Sequence, residues 1–186
     1  MANETVMEIP VANVARVEVV TEEDVPKTYV VETGSEMTIE ASVSEGEEKE
    51  LRKLNRLIAQ LKTEDIIKGY DIKWKDLVIH PFVLALIDGG QSTVGEEGAF
   101  TYNGPTMGEV VKRMPFTVNV YTEEKDSDGE TKGYLKLTCK HCKGSPASFT
   151  LKDGDFYAPE YTVKSRPKNG EKPLTITHLS ELPASA

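Results

Sequence analysis

The chain of 186 residues is acidic, with a formal net charge of -9, 38% hydrophobic residues and two cysteines. That length suits one globular domain with a real core and is short for two large ones. Residues 1–48 carry 12 acidic residues against Arg16 and Lys27, so the remaining 20 basic and 19 acidic residues nearly balance. No basic stripe is left for gripping nucleic acid, because phosphate contacts need clustered lysine and arginine.

Residues 1–27 alternate apolar and acidic positions loosely, with Pro10 and Pro26 interrupting any ladder, and predict an N-terminal arm, either a disordered solvated tail or a segment that orders only against a neighbouring subunit. The opening Met-Ala-Asn-Glu lacks a basic leader region, and no apolar run approaches the roughly 20 residues of a membrane span. Two cysteines three positions apart are not a disulfide framework, so a reducing cytosol is the expected compartment.

Tyr29, Val31, Met37, Ile39, Ala41 and Val43 alternate on either side of Gly34-Ser35 and predict a hairpin. In residues 47–62, Leu51, Leu54, Leu57, Ile58 and Leu61 follow a helical stripe among good helix formers, with Glu47 and Glu48 suited to a helix N-terminus; periodicity alone predicts a helix. The apolar run 82–87 lies between His80-Pro81 and Asp88-Gly89-Gly90. Proline at the first helical position and glycine past the last predict one or two turns of buried helix. Residues 88–109 then carry six glycines and little that would form a core, which predicts a second, structureless arm inserted in the domain.

From 114 to 166 the sequence reads as a β-meander. Phe116, Val118 and Val120 alternate with Thr117, Asn119 and Tyr121; Leu135, Leu137 and Cys139 follow an Asp128-Gly129 turn; Tyr157, Tyr161 and Val163 follow Asp153-Gly154.

Cys139-Lys140-His141-Cys142 is the one stretch with a chemical story. A single CxxC lacks the second pair of a structural zinc site, and haem attachment would need histidine where Lys143 stands. On a regular strand Cys139 and His141 face one way and Cys142 the other, so the expected reading is ordinary cysteines and no metal. His80 reads as a helix-start residue, the glycines 89–98 lack the Gly-Lys-Ser/Thr of a phosphate loop, and Ser92, Ser145 and Ser148 have no nucleophile elbow. The acidic run Glu123, Glu124, Asp126, Asp128 resembles half a calcium loop without its later glutamate, and reads as a solvated hairpin tip. No catalytic centre and no cofactor are expected.

Thr63-Glu64-Asp65-Ile66, Gly69-Tyr70-Asp71-Ile72 and Leu84-Ala85-Leu86-Ile87-Asp88-Gly89-Gly90 together resemble the major tail (tail tube) proteins of tailed bacteriophages. Pro115-Phe116-Thr117, Tyr121-Thr122-Glu123-Glu124, Asp128-Gly129-Glu130 and Ser165-Arg166-Pro167 are similar to the same group. The resemblance spans about residues 45–177, and its motifs are structural. It implies a mainly β, sandwich or barrel-like domain over 28–179 with one short helix, extended arms and a C-terminal tail from 180 to 186. Within such a fold 47–62 would be a long strand, against the periodicity. The resemblance also implies a virion protein made in the host bacterial cytoplasm. Its hexameric rings would stack into a hollow tail tube alongside tape measure and tail terminator proteins. DNA would pass without specific binding and no membrane would be engaged. The loop carrying Glu123, Glu124, Asp126, Asp128 and Glu130 becomes an assembly or lumen candidate. Two rival readings are a small metal-binding or thiol-active domain resting on Cys139, His141 and Cys142, and a monomeric β-sandwich adhesion module.

Overall fold

The computed structural model describes residues 8–184. Parts of the expected N-terminal arm (1–7) and C-terminal tail (185–186) therefore lie outside the described residues. The fold is mainly β, as expected, with antiparallel sheets and, among the described residues, one α-helix.

The first strand, β1 (Val11–Thr21), lies inside the main sheet. It pairs with β2 (Thr28–Val31) on one side and β9 (Phe116–Lys125) on the other. The predicted arm is thus corrected over 11–21. Val17 and Val19 are fully buried, and their alternation with Arg16 and Glu18 is that of a strand covered on both faces. Loose acidity concealed a core strand.

β2 and β3 (Gly34–Ser44) do not form the predicted hairpin with each other. β2 pairs with β1, whereas β3 pairs with β6 (Ile66–Asp76), so consecutive strands sit at opposite ends of the sheet order β2-β1-β9-β10-β11-β6-β3. A link of only Glu32 and Thr33 joins those two ends, which curls the sheet into a barrel-like body. β10 (Thr131–Gly144) pairs with β9, then with β11 (Glu160–Ser165) near its end and with β12 (Leu174–Leu179) along its first part. The 114–166 meander is present as β9, β10 and β11, with two corrections: Asn119 and Tyr121 are buried as well as Phe116, Val118 and Val120, and Tyr157 precedes β11; Phe116, Val118, Val120 and Val163 meet Val31, Ile72 and Trp74 in the core.

Helix α1 (Pro81–Asp88) closes one end of the body, burying Val83, Leu84 and Ile87. Pro81 starts it and Gly89, at φ 85, ends it in the left-handed conformation, as the punctuation predicted. The helix lies so close to β10 that a Cβ on Gly144 would stand 2.1 Å from the Ile87 carbonyl oxygen.

Two hairpins leave the body. Residues 47–62 form neither a helix nor one long strand: β4 (Glu48–Lys53) and β5 (Arg56–Lys62) pair across Leu54 and Asn55. The cause is tertiary. Thr63 N–H donates to the Glu47 carbonyl at 3.0 Å, and the Thr63 hydroxyl accepts from Glu47 N–H at 2.7 Å, so the β3–β6 ladder passes straight into the hairpin. A helical stripe holds a helix only when a core takes its apolar face, and none is present here. The expected structureless arm 88–109 is likewise corrected. It contains β7 (Gln91–Val94) and β8 (Phe100–Asn103), paired from Gln91–Asn103 to Val94–Phe100.

Candidate assembly surfaces

Every residue of β4 and β5 is exposed. Leu51, Leu57, Ile58 and Leu61 are all about half exposed or more, and Leu54 at the tip is 94% exposed. Leu54 also has a φ of 55, a region that a branched side chain enters at a cost of about 1 kcal/mol or more. Glycine is the natural occupant of such a two-residue turn. A bulky apolar residue stands there in water, and nothing in its own chain offsets either cost.

The second hairpin is tied down at its base. Asp88 accepts from the Tyr102 hydroxyl and, at 2.8 Å, from Ala147 N–H, while Arg113 Nε donates to the Ile87 carbonyl at 3.2 Å. Burial, and then the Asp88 carboxylate, push the Tyr102 hydroxyl pKa well up, so it remains a donor throughout the physiological range. Beyond this clamp, Val94, Phe100, Met107 and Val110 are exposed, Met107 at 99%.

The acidic assembly or lumen candidates divide into two groups. Asp126, Asp128 and Glu130 lie at the β9–β10 turn, where Asp126 Oδ1 accepts from the N–H groups of Asp128 at 3.0 Å and Glu130 at 2.9 Å. Glu123 and Glu124 lie on β9 and are engaged within the chain. Glu123 accepts from Asn13 at 2.7 Å and pairs with Lys125 at 3.0 Å. Glu124 is buried and 2.6 Å from His178 Nε2.

Cys139, His141 and Cys142 are not brought together as ligands. His141 has a φ of 51 at a register shift of the β9–β10 ladder, a bulge that returns Cys142 to the core side. Both thiols are therefore fully buried, correcting the expectation that they face opposite ways. The His141 ring turns outward to Glu22, 2.9 Å from Nδ1. Burial pushes the Cys139 thiol up to about 11 and the Cys142 thiol up to about 12, the reverse of what a nucleophile or metal ligand needs. Among the described residues no group of three His, Cys, Asp or Glu side chains is arranged to hold a metal ion.

Two buried polar clusters escaped sequence reasoning. Arg16 pairs with Glu18 at 3.0 Å, donates to the Pro183 carbonyl at 2.7 Å and lies 4.8 Å from the Tyr121 ring centre. Tyr121 donates to Glu18 at 2.9 Å, and burial followed by Glu18 pushes its hydroxyl up to about 12. The C-terminal segment, at least to Pro183, thus covers the second face of β1. The signal was available in the Arg-Val-Glu-Val alternation. The other cluster surrounds Asp76, which is fully buried at the end of β6. It accepts from the Thr33 hydroxyl and from Leu77 N–H at 2.7 Å, with His80 Nε2 3.4 Å away. The first cluster ties the middle of β1 and β9 to the C-terminal segment, and the second ties the end of β6 to the β2–β3 link and to the start of α1.

No protein-family model and no curated protein matches the sequence. Among solved structures the chain is similar to one titled as the cryo-EM structure of the anti-feeding prophage baseplate, 6-fold symmetrised. The identity is 12% and the TM-score 0.45, covering 92% of this chain and 97% of that one. A likeness of that degree leaves function to the chain's own geometry. Among the described residues no helix is long and apolar enough to cross a membrane.

Proposed function

We propose that this chain is a structural, non-enzymatic subunit of a bacteriophage-type tail, and that it polymerises with its own copies as hexameric rings stacked into a hollow tube. The observation that carries the reading is the β4–β5 hairpin, a two-stranded element with no buried residue, whose five large aliphatic side chains all stand in water. Such a surface is stable in solution when another molecule covers it. The tail-tube resemblance of the sequence motifs supplies the kind of assembly. The exposed acidic turn at Asp126, Asp128 and Glu130 suits a surface past which DNA slides without being held. Tape measure and terminator proteins are the partners such a tube would meet, and the virion tail is its place.

Sedimentation of the purified chain tests the proposal, with negative-stain microscopy of what sediments. Rings or tubes are expected. Replacing 47–62 by a short Gly-Ser turn is expected to leave a folded, small species. A wild-type chain that stays monomeric at high concentration would refute the reading.

A further inference from the structure

The two hairpins that leave the body carry opposite charge. Residues 48–62 hold five basic side chains against Glu48 and Glu50, in a chain whose formal net charge is -9. Lys49 and Arg52 are paired with Glu47 and Glu50, which leaves Lys53, Arg56 and Lys62 without a carboxylate partner among the described residues. Lys53 and Arg56 stand directly opposite each other across Leu54 and Asn55, and like charges so placed repel. The tip of β4–β5 is therefore a cationic, apolar knob that lacks its counter-charge.

The stretch 91–110 is its complement. It contains Glu96, Glu97 and Glu109 and no lysine or arginine. All three glutamates are exposed, and none is in an ion pair among the described residues. Val94 and Phe100 are directly opposite each other on one face of β7–β8, both half exposed, and they flank the 95–99 turn that carries Glu96 and Glu97.

We propose that the β4–β5 tip of one copy docks on the β7–β8 turn of a second copy, with Lys53 and Arg56 against Glu96 and Glu97, and Leu54 against Val94 and Phe100. The contact rests on the self-assembly reading above. Within one chain neither set of charges pairs with the other, because β4–β5 prolongs β3 and β6 past Ser44 and Ile66 while β7–β8 is clamped to α1 through Asp88 and Tyr102. The other acidic surfaces lack one half of the match. Residues 32–45 expose one large apolar side chain, Val43, and their Glu36 is taken by Lys75. The turn at Asp126, Asp128 and Glu130 exposes none. At 22–25 and 151–156, where Val25, Leu151 and Phe156 are exposed, Glu22 is held by His141, and Lys27 and Lys152 stand beside the remaining carboxylates. Knob and turn are different surfaces of one chain, so each docked copy still offers one of each and the contact propagates.

Charge exchange on the full-length chain tests it. One variant reverses the tip with Lys53→Glu and Arg56→Glu; the other reverses the turn with Glu96→Lys and Glu97→Lys. All four side chains are exposed, so circular dichroism spectra should match that of the wild type. Each variant alone is expected to associate about tenfold or more weakly, read as loss of the sedimenting polymer, because like charges then face each other at the contact. In an equimolar mixture every contact between unlike copies regains opposite charges. The mixture is therefore expected to sediment as wild type. Wild-type polymers from either variant alone, or no recovery on mixing, would overturn the contact. If the wild-type chain itself stays monomeric at high concentration, self-assembly fails separately. The contact is then read by zero-length carbodiimide coupling between light and heavy-isotope copies of the wild-type chain, and the same coupling decides the case if a variant's spectrum departs. A link from Lys53 to Glu96 or Glu97 is expected in higher yield than its link to Glu130. An equal or lower yield overturns the docking as well.

Discussion

β1 and the β4–β5 hairpin are both β-structure rich in aliphatic residues, yet one is core and the other stands in solvent. Val17 and Val19 on β1 are fully buried between paired neighbours, whereas no residue of the hairpin is buried. Backbone pairing makes a strand; side-chain burial decides what the strand contributes. Two strands alone are marginal in water, and exposed ion pairs such as Lys49–Glu47 at 2.9 Å add little. The hairpin depends instead on its root, where Asp65 Oδ1 accepts from Gly46 N–H at 2.7 Å.

The sharpest way to break this contrast is a core truncation set beside a hairpin truncation. Trp74 is almost fully buried, its ring centre 4.9 Å from that of Tyr161, so Trp74→Ala is expected to cost about 3–5 kcal/mol in urea denaturation. Leu57→Ala on the hairpin is expected to change the same measurement by less than about 0.5 kcal/mol while weakening polymerisation. Equal losses would mean that the hairpin is packed.

Next in size is the Asp76 cluster. Removing its carboxylate takes an acceptor from the part-buried Thr33 hydroxyl and from Leu77 N–H, which keeps the Thr33 carbonyl at 3.1 Å, and leaves His80 without its carboxylate neighbour. Asp76→Ala should therefore lower the unfolding free energy by about 2–3 kcal/mol. A loss below about 0.5 kcal/mol would show that water reaches these groups.

The same contrast explains how much was legible in the sequence. The 114–166 meander and α1 could be read because Phe116, Val118 and Val120, or Pro81 and Gly89, act locally: period and punctuation hold wherever the core lies. β1 was obscured because acidic residues beside Val17 and Val19 read as solvent-facing until Arg16 and Tyr121 gave Glu18 a buried partner. The leucines of 47–62 misled because period reports burial, and these side chains find no core among the described residues. No single-chain signal places His141 in a left-handed bulge, yet that bulge turns both cysteines inward.

That inward turn gives the third prediction. With both thiols buried and their pKa values pushed to about 11 and about 12, a maleimide at pH 8 should leave the native protein unlabelled and modify both cysteines in denaturant. Mass spectrometry reads the count. Rapid native labelling of Cys142 would place it on a mobile edge instead of in the core.

The smallest effect concerns the bulge itself. Burial opposes the charged form of Glu22, but the His141 backbone N–H at 2.8 Å, the His141 ring and the Thr117 hydroxyl at 3.0 Å more than offset it, holding the carboxyl below its usual range. A depressed folded pKa makes its contribution fully present above the ordinary value of 4.5 and lost as pH falls through the folded value. The partners are partly exposed and screened, so Glu22→Gln should cost under about 1 kcal/mol at pH 7. The difference from wild type should start to shrink as pH falls below 4.5. Urea midpoints compared at pH 7 and pH 3.5 measure it. A gap that persists undiminished in acid would assign the effect to the shape of the side chain, and the bulge would then owe nothing to the Glu22 charge.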